Sequence, residues 1–236
     1  MLELTVHFDS YEMERPRKLQ SMLELPETLE KKFLTRVRSR FSATESVRLE
    51  QALSFARGLK STLPSHPSVR AYLGHPIRLA LMADELLPAP DAKTIEICTV
   101  HNVLEVCGLT RKELLAAGFT ADVIGALETL LIDRTQENDQ RYLDSYYSKI
   151  KSYSPTLALV KCLDKLDNLW TLEVLADDVR RKSYIRHCRE NVSPLAHGLS
   201  EDFGRYFDST ATKAEGSTFN PEFSARWKAF LTAHTP

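Results

Sequence analysis

Apolar residues recur at three- and four-residue spacing along most of this chain, and glycine, at 8 of 236 residues, is scarce and scattered. That period gathers apolar side chains on one face of a helix, and few glycines interrupt it. The expected fold class is therefore all-α. Only Leu2–Phe8 (LELTVHF) alternates as a strand would, and it fits either a short arm or a segment without regular structure.

The 31 basic and 32 acidic residues leave a net charge of −1. That argues against an extended nucleic-acid surface and leaves room for a local basic pocket. No run approaches the roughly 18 apolar residues of a spanning helix, so no membrane segment is expected. The first residues carry charges inside their apolar part and no basic n-region, so they do not form a secretory signal. Cys98, Cys107, Cys162 and Cys188 form no CxxC pair, which suits reduced thiols in a cytoplasmic protein.

The periodicity predicts helices over about 27–41, 43–61, 67–87, 91–107, 110–117, 120–132, 138–152, 155–174, 177–207 and 222–233. Ser42 or Thr44 opens the second and Asp91 caps the fourth. Thr110 and Glu113 make a capping box ahead of Leu114 and Leu115, and Gly118 ends that helix. Pro16 and Pro26 are expected to break any long helix near the start, so residues 1–27 read as an extension. Residues 208–221 (DSTATKAEGSTFNP) read as a linker. The expected organisation is an extension (1–27), a helical domain (28–207), and a linker with a C-terminal helix (208–236). Phe223, Trp227, Phe230 and Leu231 on that last helix suit a core staple or a homodimer contact.

His101 and Asn102 sit among Ile97, Val100, Val103 and Leu104. Burying an imidazole beside an amide is costly unless both find partners, and a divalent metal is one such partner. Glu105 lies four residues after His101, so it is expected on the same helix face one turn on, where it could hold a water or act as a base. Each signal also has a plain structural explanation. A helical histidine can be a satisfied core residue, Asp164 can pair with Lys161 or Lys165, and His75-Pro76 can mark a kink. The polar run Asp133–Asn138 with Arg141 is a further candidate, or simply solvated surface.

Taken together, these residues resemble the HD-domain phosphohydrolases, most closely the hydrolase domain of the Rel/SpoT family and its small stand-alone versions, which remove the 3′-pyrophosphate of (p)ppGpp. Tyr72-Leu73-Gly74-His75-Pro76 looks like the family's Tyr-Ile-x-His-Pro segment. Val100-His101-Asn102-Val103-Leu104-Glu105-Val106 falls where the family has its His-Asp pair and its Glu-Asp pair. Val160-Lys161-Cys162-Leu163-Asp164-Lys165-Leu166-Asp167-Asn168 is similar to the segment carrying the last metal aspartate. Glu137-Asn138…Arg141 loosely resembles a further family stretch, and the likeness covers about residues 45–200.

The resemblance implies a helical bundle in which His75, His101, Asn102 and Asp164 converge on one divalent ion, manganese in the family, with iron or zinc as alternatives. It implies catalytic roles for Glu105 and Asn102, and substrate contacts from Lys161, Lys165, Asn168, Arg141 and Tyr72. The substrate would be a nucleotide or related phosphate ester. Asn102 stands where the family has aspartate, Val106 where it has the second acid, and residues 61–71 (STLPSHPSVRA) where it has an Arg-Lys segment. These departures support an alternative: a degenerate HD domain that binds a nucleotide or a protein partner without turnover.

Overall fold

The computed structural model describes residues 2–6, 8–24, 26–59 and 69–233 and, within these, all side chains except those of residues 26 and 69–72. Every regular element among them is helical: α1 (Tyr11–Met22), α2 (Pro26–Arg40), α3 (Ala43–Gly58), α4 (Val69–Leu86), α5 (Ala92–Val100), α6 (Val103–Val106), α7 (Arg111–Ala116), α8 (Ala121–Leu130), α9 (Gln140–Tyr153), α10 (Pro155–Trp170), α11 (Asp178–His187), α12 (Ser193–Leu199), α13 (Glu201–Glu215) and α14 (Pro221–Ala233). Short 3-10 turns occupy Arg134–Gln136 and Leu172–Val174, and a π turn occupies Cys188–Val192. Among the described residues, no helix is long and apolar enough to cross a membrane.

The expected caps open their helices. Ser42 and Glu45 form a capping box on α3, Thr110 and Glu113 form another on α7, and the Asp91 carboxylate accepts the Thr94 N–H on α5. Each satisfies N–H groups that the first turn leaves without partners, and removing such a cap costs about 1 kcal/mol. Gly118 follows α7 at φ 91°, a conformation that strains any residue with a Cβ.

α10 is buried almost all round, from Leu157 to Trp170. A helix without a solvent face must run through the middle of its neighbours. It packs against α1, α4, α5, α9, α12 and α13, and α4 and α5 also pack on each other. The junction of α4, α5 and α10 is where residues from three remote parts of the sequence meet. Trp170, at the end of α10, is fully buried, with the Phe8 ring edge-on at 5.4 Å. Leu2, Leu4, Val6 and Phe8 pack on the core without forming a strand. The alternating pattern thus marks one buried side of an irregular arm.

Four expectations are corrected. α1 runs through Pro16 instead of stopping there: the carbonyl that loses its partner is that of Glu12, and both residues are solvent-exposed. The helix expected over 91–107 breaks at His101-Asn102. The helix expected over 177–207 divides at the π turn and again at Ser200, whose backbone is extended. Pro194 supplies no N–H to the turn before it, which accounts for the wide turn. Residues 208–215, expected in a linker, continue α13: Phe203, Phe207, Ala211 and Ala214 bury one stripe, and the Thr210 hydroxyl donates back to the Tyr206 carbonyl.

The two ends of the chain meet at Glu173, which is buried in the 172–174 turn. Arg15 of α1 pairs with its carboxylate. Asn220, just ahead of α14, donates its backbone N–H to the Glu173 carbonyl at 2.9 Å and its side-chain amide to Oε1 at 2.9 Å. Phe223 of α14 is buried against the body.

Candidate metal centre

His75 projects from α4, His101 from the end of α5 and Asp164 from α10. One ligand atom from each lies within 4.8 Å of the others. His75 Nε2 is 3.2 Å and His101 Nε2 4.0 Å from Asp164 Oδ1. The other carboxylate oxygen, Oδ2, faces Lys161 Nζ at 3.5 Å and Lys165 Nζ at 3.2 Å. A single carboxylate thus divides its oxygens between imidazoles and ammonium groups.

Both rings are oriented from behind. His75 Nδ1–H donates to Asp167 Oδ2 at 2.7 Å, and His101 Nδ1–H donates to the Cys98 carbonyl at 2.9 Å. A carboxylate or carbonyl on Nδ1 directs the Nε2 lone pair inward and makes it a better ligand. The Cys98 bond lies at the break between α5 and α6, where Asn102 leaves helical geometry at φ −121°, ψ 15°. Glu105 therefore reaches the site from a separate short helix, not from one turn along a continuous face.

Asp167 accepts bonds from Arg78 Nε at 2.9 Å and Nη2 at 2.7 Å as well as from His75. Burial would raise the Asp167 carboxyl, but Arg78 and His75 hold it far below the usual carboxylate range. Burial likewise opposes ionisation of Asp164, and Lys165, Lys161 and His75 outweigh it. For His75, burial works to lower the pKa and the bonds to Asp164 and Asp167 raise it overall. For His101 the balance goes the other way: burial, then the neighbouring His75, outweigh Asp164 and the Cys98 carbonyl and push it down to about 4, so it is neutral near pH 7. Two oriented imidazoles and one ionised carboxylate are a donor set that suits a borderline divalent ion.

The cavity at this junction holds about 260 Å³. His75, His101, Asn102, Glu105, Lys161, Asp164, Lys165 and Asn168 all line it. Lys161 and Lys165 are buried, 6% and 8% exposed, so they are not a solvated helix edge. Asn168 donates to the Asp164 carbonyl at 2.9 Å and to Oδ1 at 3.2 Å, which makes it a positioning residue for Asp164. Arg141 is exposed on α9 and does not line the cavity. Asp139 caps α9 at the Arg141 and Tyr142 N–H groups, which leaves Arg141 on the outer face of the first turn. Arg134, in the preceding 3-10 turn, lines the cavity instead and holds Glu105 Oε1 through Nε at 2.7 Å and Nη2 at 2.6 Å. The Tyr72 side chain lies outside the described residues.

Sequence reasoning missed Asp167, Arg78 and Arg134 as site residues. Asp167 follows Asp164 by three residues and Arg78 follows His75 by three, so helical spacing alone places each beside a ligand. Arg134 belongs to the polar run already singled out. Met22 and Trp227, which also line the cavity, carry no local signal.

Fold and site together define an all-helical chain with a candidate His-His-Asp metal centre beside a cationic wall. No family model matches the chain. It is similar to a guanosine-3′,5′-bis(diphosphate) 3′-pyrophosphohydrolase of Vibrio cholerae serotype O1, with 26% identity over 134 residues, 54% of this chain and 18% of that protein. The chain therefore spans about a fifth of that relative's length and has a hydrolase as a distant relative.

Proposed function

We propose that this chain is an HD-type, metal-dependent phosphohydrolase acting on a nucleotide or related phosphate ester. The observation that carries the reading is the convergence of His75 Nε2, His101 Nε2 and Asp164 Oδ1, with both Nδ1–H groups already engaged behind them. These three residues would hold a divalent ion, manganese or else iron or zinc, with the Asn102 amide oxygen as a weaker neutral fourth ligand. When bound, such an ion supplies Lewis acidity toward a phosphoryl oxygen and acidifies water. Glu105, held by Arg134, takes the proton of the attacking water. Lys161, Lys165 and Arg134 offset the charge that builds on the phosphate as its P–O bond breaks. The Vibrio protein's activity, that of a guanosine-3′,5′-bis(diphosphate) 3′-pyrophosphohydrolase, belongs to the same reaction class.

A second reading rests on two residues of the same cavity wall. Position 102 is an amide and position 106 a valine, which leaves fewer carboxylates around the site. On this reading the chain binds a nucleotide or a protein partner without turnover. Metal content and phosphate release decide between the two. The hydrolase carries about one equivalent of metal and loses phosphate release on His75→Ala or Asp164→Ala. Metal-free protein that gains both metal and activity on Asn102→Asp establishes the second reading and overturns the first.

A further inference from the structure

Two side chains on the wall of the metal-centre cavity come from the ends of the chain: Met22, at the end of α1, and Trp227, from α14. Both are half-buried, so neither is absorbed into the core. A tryptophan that keeps part of its large apolar ring at a cavity rim is a surface still available for contact.

The indole is held in place. Phe230 stacks on it, with centroids 5.6 Å apart and ring planes 14° from parallel. α14 is anchored by buried Phe223 and Ser224, and by the two Asn220 bonds to Glu173, the residue that also holds α1 through Arg15. Trp227 is thus a fixed planar surface with a polarisable thioether in the same wall. The remaining lining includes Lys161, Lys165 and Arg134. One cavity of about 260 Å³ therefore combines a cationic, metal-ligating part with an aromatic part. That division suits a ligand with a phosphate at one end and a flat ring at the other.

We propose that Trp227 is the platform on which the planar base of a nucleotide stacks, with Met22 in the same cavity wall, while its phosphate reaches Lys161 and Lys165. The inference rests on the phosphohydrolase reading for the direction in which the substrate lies. Stacking of this kind is tolerant of base identity, because every base has a π face. Trp227 therefore selects nucleotides over phosphate esters that lack a ring, and does not choose among bases.

The test uses the full chain with manganese, and guanosine 5′-diphosphate and inorganic pyrophosphate as probes. The chain has two tryptophans and Trp170 is fully buried, so a fluorescence change on adding the nucleotide that is absent in Trp227→Leu reports Trp227. Trp227→Leu is expected to abolish that change and weaken nucleotide binding about tenfold, leaving pyrophosphate within about twofold. Trp227→Phe keeps a ring and retains most of the affinity. Equal weakening of both probes assigns the indole a merely structural role and overturns the proposal, as does unchanged nucleotide affinity. Failure of the nucleotide to bind overturns it as well. Phosphate release from the nucleotide by the parent protein, followed in parallel, separates the two readings. Release with no dependence on Trp227 leaves the hydrolase standing and removes the platform. Trp227-dependent binding without phosphate release from guanosine 5′-diphosphate, or from the other nucleoside phosphates assayed beside it, leaves the platform standing and removes the hydrolase.

Discussion

Replacing Asp167 with asparagine keeps the shape of the side chain and removes one charge from the interior. Asp167 has no exposed surface, and it accepts two bonds from Arg78, itself 8% exposed, and one from His75. The substitution leaves a buried guanidinium without its counter-ion, a defect that typically costs about 3–5 kcal/mol. The asparagine oxygen can still accept a bond, so the expected loss lies near about 3 kcal/mol. For a chain of this length each kcal/mol moves Tm by about 2–4 °C, which gives a drop of roughly 6–12 °C. A separate effect falls on the metal centre. His75 loses the anion that fixes its Nδ1–H, and losing such a partner typically lowers metal affinity about 10–100-fold. Urea unfolding followed by circular dichroism and calorimetric titration with manganese, both near neutral pH, measure the two effects. A variant that unfolds like the parent and binds manganese equally well refutes the role given to Asp167.

The buried His101 makes metal-free protein sensitive to acid. Its pKa is lowered from 6.5 to about 4, so its contribution to stability is complete above 6.5 and is lost as pH falls toward 4. That gap corresponds to about 3 kcal/mol, and His101→Gln should flatten the decline of the urea midpoint over this range. Parallel curves for the two proteins would count against the assignment. Glu105→Gln should lower phosphate release by about 10²–10⁴-fold with metal content unchanged; full activity in that variant excludes Glu105 as the base. Gly204 lets α13 approach α12 closely, since a Cβ there would lie 2.4 Å from the His197 ring. Gly204→Ala should therefore destabilise the fold by about 1–3 kcal/mol in chemical denaturation, and an unchanged midpoint would show that the ring simply turns away.

The helical class, the caps and the His75, His101 and Asp164 triad were legible because each is written in local spacing or in a short motif. What local spacing does not carry is competition between side chain and backbone. α5 ends at the His101 bond to the Cys98 carbonyl where periodicity runs on through 107, and Glu105 falls on a different element. Composition misled at 208–215, because the small polar residues there ride on a helix whose other side is Phe203, Phe207, Ala211 and Ala214. Of the two arginines near the polar run, Arg141 matched a motif by order. Which of them faces the cavity depends on the turn at 134–136 and on the Asp139 cap. Met22 and Trp227 lie far apart in sequence and reach one cavity wall through tertiary packing alone.

Because Arg15 pairs with the buried carboxylate of Glu173, trimming the N-terminus through Arg15 removes the cation that offsets an interior anion, and trimming the C-terminus through Asn220 removes two hydrogen bonds from the same residue. A shortened version of this chain would therefore differ from the full one in more than length. Without Arg15 it would carry a poorly compensated charge next to α10, and weak phosphate release from such a fragment would report that defect before it reported anything about the chemistry.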